Sequence, residues 1–278
     1  MEMETDMEIV ADAPAEQPVA DAPAEQPAAE HRRQPPAEIF IQVANLEDQS
    51  PPSTPPAHPD GDRIGDSEES AESKESTLIL LDWDDTLLVS SLLSSLGFRI
   101  DEDSELPAAL RSELSELEAI VIHMLEACNA CGNVVIVTNA ETGWVEMSGK
   151  RFVPRILDAV QRMQLPVISA RSTYEARYPG SPCDWKTAAF IAQVQHAAQA
   201  SCVVDVISIG DSLHEREAAH QVSARFRDSI ATVKTVKMVE RPTVEQLRRQ
   251  LSLVATNLRD MVEESHSFDV NLVCDAAA

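Results

Sequence analysis

"LILLDWDDTLLVSS", residues 78–91, decides how the rest of the chain is read. Four apolar residues run without alternation into three acids, Asp82, Asp84 and Asp85, and Thr86 follows at once. An apolar run of this length without a polar face suits a strand buried on both sides in a parallel sheet. Carboxylates crowded into four positions repel, and each resists ionising beside the others. A polar turn after a strand is the plain account of them. A site that holds a cation and does chemistry is the sharper one, and the rest of the chain has to choose.

Working outward, the same kind of run recurs. Strands are expected at 77–83, 134–140, 165–170, 202–210 and 229–239. Between them, 109–131, 142–164, 184–200, 211–225 and 243–264 carry helical spacing, with Pro154 marking a start or kink. Gly132 and Asn133 end the first of these helices, and Thr243 caps the last. Alternating strands and helices imply a doubly wound α/β domain over 77–264, built on a five-stranded parallel sheet. The segment 265–278 is set apart as a C-terminal tail, its "SFDVNLVCDAAA" reading as a short extended piece or a tail.

Ligands of such folds bind outside the carboxyl ends of the strands. Asp82, Asp84 and Thr86 stand after the first strand, and Thr138 and Asn139 after the second. Gly210, Asp211 and Glu215 stand after the fourth, and Lys186 sits early in the helix before it. Oxygen-only ligands such as Asp82 and Asp211 suit a hard ion, Mg²⁺ by default. An aspartate kept ionised there can attack phosphorus. A second carboxyl, Asp84, can carry a proton if burial raises its pKa. Thr138, Asn139 and Lys186 are the candidates to bind phosphoryl oxygens, with Thr86 and Glu215 behind them.

"LLDWDDTLL" resembles the first motif of the haloacid dehalogenase-like superfamily, an apolar strand ending in D-x-D-x-T. "VVIVTNA" resembles the second, Lys186 in "CDWKTAAF" the third, and "VISIGDSLHE" the fourth, usually G-D-x-x-x-D. The four occur in order and span roughly 78–240. The resemblance implies a Rossmann-like core and a Mg²⁺-dependent phosphatase. It implies Asp82 as nucleophile and metal ligand, and Asp84 as general acid and base with its backbone carbonyl on the metal. It implies Thr138 and Lys186 on the phosphate, and Asp211 on the metal. Glu215 stands where the pattern has aspartate. Neither 87–107 nor 140–185 has room for a large cap domain, so an open site, suited to a phosphorylated protein or another large phosphomonoester, is expected. A binding or scaffold module on the same fold and a phosphotransferase are the rival readings.

The first 76 residues differ from the rest. They hold 11 of the 17 prolines, one aromatic residue (Phe40), and 19 acids against 4 Lys or Arg; 15 of the 25 net negative charges are therefore here. "VADAPAEQP" occurs twice in succession, at 10–18 and 19–27. Such a segment buries too little to offset its ordering entropy and reads as a disordered acidic tail of unknown partner. "IFIQVANL", 39–46, is an isolated apolar patch in it. The acid excess argues against direct nucleic-acid binding, and no apolar stretch is long enough to span a membrane. Five cysteines at irregular spacing, with an acidic N-terminus that lacks an apolar h-region, read as free thiols in a reducing compartment, cytoplasmic or nuclear.

Overall fold

The computed structural model describes residues 39–44, 77–102, 104–200 and 204–274 of the 278. The expected disordered tail, 39–44 apart, lies outside the described residues. In chain order the strands are β1 (Ile39–Ala44), β2 (Thr77–Leu81), β3 (Asn133–Thr138), β4 (Val167–Ser169), β5 (Val204–Gly210), β6 (Ile230–Lys237) and β7 (Phe268–Cys274). The helices are α1 (Ser90–Ser95), α2 (Ala108–Cys131), α3 (Trp144–Phe152), α4 (Pro154–Arg162), α5 (Ala170–Tyr174), α6 (Pro182–Ala200), α7 (Leu213–Arg225) and α8 (Val244–Glu263).

The strand order is β1-β7-β6-β5-β2-β3-β4. Six strands, β2 to β7, run parallel, and β1 pairs antiparallel with β7 from Ile39↔Cys274 to Ala44↔Asp269. This corrects the expected five strands. Phe268–Cys274, expected as a short extended piece or a tail, is extended and forms a sheet strand. Its Asp269 carries no sign of burial in the sequence, yet it is 2% exposed. Thr235 Oγ1 donates to it at 2.6 Å, and Arg216 bonds it through Nε at 2.7 Å. Satisfied in this way, a charged residue sits inside a strand.

Every residue of β2 is buried. Leu78 and Leu80 pack with Trp185, Phe190 and Val222 on the layer made by α6 and α7. Ile79 and Leu81 pack with Leu117, Val121 and Leu251 on the layer made by α2 and α8. Helices thus cover both faces, which is why β2 shows no alternation. The expected helix 142–164 is two helices, because Pro154 lacks the N–H a continuous helix would need and opens α4 instead. The expected loop after the third strand begins with the short α5, capped by Ser169 accepting from Ser172 N–H. Between β2 and α2 only α1 is helical, and no separate cap domain occurs among the described residues. No helix among them is long and apolar enough to cross a membrane. Cys128 is buried in the core, where burial pushes its thiol up to about 12, and Cys128 and Cys131 are both free.

Candidate active site

The strand ends of β2 and β5 meet first. Leu81 pairs with Ile209, and the ladder continues one step as Asp82 N–H donates to Ile209 O at 3.0 Å. Asp82 and Asp211 therefore leave adjacent strands at one rim. Trp83 O then accepts from Leu87 and Leu88 N–H at 2.9 and 3.1 Å, which winds 83–88 into a tight loop. Asp85 sits in it with φ 53°, a conformation aspartate tolerates better than most side chains. Its Oδ1 accepts from Ser91 N–H at 2.9 Å and ties the loop to α1. Thr86 Oγ1, fully buried, accepts from Asp211 N–H at 3.1 Å and locks the two strand ends together.

Lys186 is the hub. Its side chain is fully buried, and Nζ donates to Asp82 Oδ1 at 2.6 Å and to Val137 O at 2.6 Å. Its third contact is Glu215 Oε1 at 2.8 Å. An ammonium has three protons and here meets three acceptors. Burial alone would lower its pKa; Asp82 and Glu215 outweigh burial and hold it above the ordinary lysine range. Glu215 completes a capping box with Ser212 at the start of α7 and turns its other oxygen to Lys186. Gly210 makes this approach possible, since a Cβ there would lie 2.4 Å from Glu215 Cγ.

The two carboxylates flanking one ammonium are not alike. Burial would raise Glu215, but Lys186 and Ser212 hold it below its ordinary value. Burial, with Glu215 and Asp84 nearby, raises Asp82 well above its own, despite Lys186. Asp84 is also raised, chiefly by burial. Its carboxylate accepts from Trp144 Nε1 at 2.9 Å and Thr138 Oγ1 at 3.2 Å. Burial, then Glu215 and Asp85, push Asp211 up to about 7. Lys237 donates to Asp211 O at 2.8 Å rather than to its carboxylate.

Asn139 follows the end of β3, beside Thr138. Its Nδ2 donates to Pro182 O at 3.2 Å, which spends the amide on the start of α6, and its Oδ1 is buried without a partner among the described residues. Trp83 is core, its indole bonded to Ser148 Oγ at 3.0 Å, and Trp185 is core as well. Ser148 Oγ in turn donates to Trp144 O at 2.7 Å, so α3 presents the Trp144 indole to Asp84 from an anchored position. Nothing in the spacing of Trp144 from the strand ends announces that bond. Arg171 is taken up by Glu175 at 3.0 Å and Glu141 at 3.5 Å and lies over the Trp185 ring.

No three His, Cys, Asp or Glu side chains converge as a ready metal cage among the described residues. The donors fit Mg²⁺ all the same. That ion keeps most of its waters and takes one or two carboxylates beside substrate phosphate, not an all-protein cage. Asp82 and Asp211, both raised by burial among like charges, are two such carboxylates. Comparison with family models, curated proteins and solved structures gave no match.

Proposed function

We propose that this chain is a Mg²⁺-dependent phosphatase that hydrolyses a phosphomonoester through a phospho-Asp82 intermediate. The observation that carries this reading is Asp82 fixed at a strand end by a fully buried Lys186, with a second carboxyl, Asp84, held two residues on by Trp144 and Thr138. Asp82 and Asp211, with the Asp84 backbone carbonyl, would hold the ion, which when bound supplies positive charge against the acids and the phosphoryl oxygens. Lys186 keeps Asp82 oriented and lowers the repulsion felt by an arriving phosphate. With its three protons spent, it acts by charge more than by direct grip.

Asp82 attacks phosphorus, the bond to the ester oxygen breaks, and Asp84 gives its proton to that oxygen. The ionised Asp84 then takes a proton from water as the water attacks the phospho-Asp82 phosphorus, releasing phosphate and restoring both carboxyls. A pKa raised by burial suits Asp84 to both steps. The cleft beside Asp84, with no cap domain over it among the described residues, admits a phosphate carried on a protein or another large molecule.

The test is phosphate release from phenyl phosphate by the full chain, with Mg²⁺ and with chelator. Release that needs Mg²⁺ is the expected result. Equal release in chelator, or none with Mg²⁺ across aryl phosphates, would sink the reading. One variant follows directly. Trp144→Phe removes a donor that favours the charged form of Asp84, so the pH-profile limb reporting Asp84 moves to higher pH. Losing one charge-assisted bond lowers kcat about tenfold. A profile that does not move would show that Trp144 only packs.

A further inference from the structure

We infer that the substrate carries a second anionic group, and that Arg241 binds it. The inference rests on the catalytic reading for the identity of the first group, the phosphate. It begins from the cleft beside Asp84, about 620 Å³ in volume, whose walls include the α1 serines, Trp144, Arg241, Pro242 and Thr243. This volume is ordinary for a small-molecule site. Arg241 is the one cation among its lining residues.

Arg241 is exposed, and no described residue pairs with its guanidinium; the neighbouring Glu240 pairs with Lys237 at 3.1 Å. The site it faces is acidic, yet its charge is not spent on those acids. Its backbone has φ 49°, in the left-handed region that residues other than glycine rarely adopt. The segment that imposes this is fixed at both ends. Met238 N–H donates to Gly210 O at 2.7 Å, and Val239 N–H to the buried Gln250 Oε1 at 2.6 Å. Beyond Arg241, Pro242 precedes the Thr243–Gln246 capping box of α8. The arginine thus stands on a rigid support at the end of β6, on the same rim as Asp82, Thr138 and Asp211.

A planar guanidinium in the same cleft wall as an indole favours a carboxylate or phosphate attached to a flat or extended body. Trp144 is the aromatic side chain in the cleft wall for that body to meet, and the hydroxyls of Ser91 and Ser94 line the same cleft and offer bonds to its polar edge. The class is therefore a phosphomonoester with a second anion beyond the ester oxygen. With the phosphate at Asp82, the leaving group extends past Asp84 and Trp144 toward Arg241.

Binding tests this without turnover. The full chain with Mg²⁺ is titrated calorimetrically with benzylphosphonate and with 4-carboxybenzylphosphonate, neither of which can be hydrolysed. The carboxylated ligand binds about tenfold more tightly, the scale of one charge-assisted contact. In Arg241→Gln the ratio of the two Kd values falls to about one, and Arg241→Lys keeps part of it. Equal affinities in the natural chain, no binding of either ligand, or a preference that survives Arg241→Gln would each overturn the inference. The catalytic reading fails separately, on phosphate release from phenyl phosphate, which has no group for Arg241. An anion preference without any phosphate release leaves the inference standing and removes the chemistry.

Discussion

Asp82→Asn is expected to lose phosphate release by about a thousandfold or more, because no carboxylate remains to attack phosphorus. The same substitution is expected to raise stability. Asp82 is 6% exposed, and burial beside Glu215 and Asp84 raises its pKa. A raised folded-state value means the ionised form burdens the fold. That burden is absent below the ordinary carboxylate pKa and grows as pH rises toward the folded value. The neutral amide keeps an oxygen for Lys186 without the charge, so the advantage of the variant is largest at neutral and alkaline pH and vanishes in acid. Urea unfolding in chelator at pH 5 and pH 8, beside the phosphate assay, measures both effects. A variant that is inactive and less stable at pH 8 would point to a structural role for Asp82; one that keeps its activity would end the nucleophile assignment.

Lys186→Met is expected to act in the opposite direction on stability. Two buried carboxylates, Asp82 and Glu215, would lose the one cation between them, and Val137 O would lose its donor. Breaking a buried pair from one side costs about 3–5 kcal/mol, a large part of the roughly 5–15 kcal/mol that holds a domain together. The loss should ease in acid, where the stranded carboxyls protonate in the folded state before the unfolded one. Adding Glu215→Gln to Lys186→Met should recover part of it, because the second substitution removes one of the stranded charges and the pair of changes then costs less than the sum of the singles. A cost under about 1 kcal/mol in urea unfolding at pH 7 would refute the hub role.

These two results separate what the sequence carries from what only the folded chain reveals. The run 78–81 announced a doubly covered strand because all its side chains are apolar, and its packing against two layers is the reason. The helix 109–131 was legible from Leu110, Leu114, Leu117 and Val121, all buried. β7 is legible only as a short extended piece or a tail, because Asp269 and Asn271 alternate with its apolar residues, and only the partners of Asp269 show why a charge belongs inside the sheet. The rim was legible as a set of strand ends. That Lys186 reaches Asp82 across 104 residues follows from β2 and the start of α6 ending near one rim. That Glu215 faces the lysine depends on the missing Cβ of Gly210, which no spacing encodes. Asn139 is legible by position at the end of β3, but the bond from its side-chain amide to Pro182 is not. Arg241 gave no signal, since its value lies in what it does not pair with.

The pairing of Ile39–Ala44 along β7 has a consequence for handling the molecule. β7 is the last parallel strand, and β1 occupies its outer hydrogen-bonding groups through six residue pairs. A chain shortened to begin at Thr77 would present that edge bare, and a bare edge recruits strands from other copies. The acidic, proline-rich N-terminal segment thus carries a plug against self-association within it, and shortened preparations would be expected to stack edge to edge while the rim formed by β5, β2 and β3, away from that edge, keeps its arrangement.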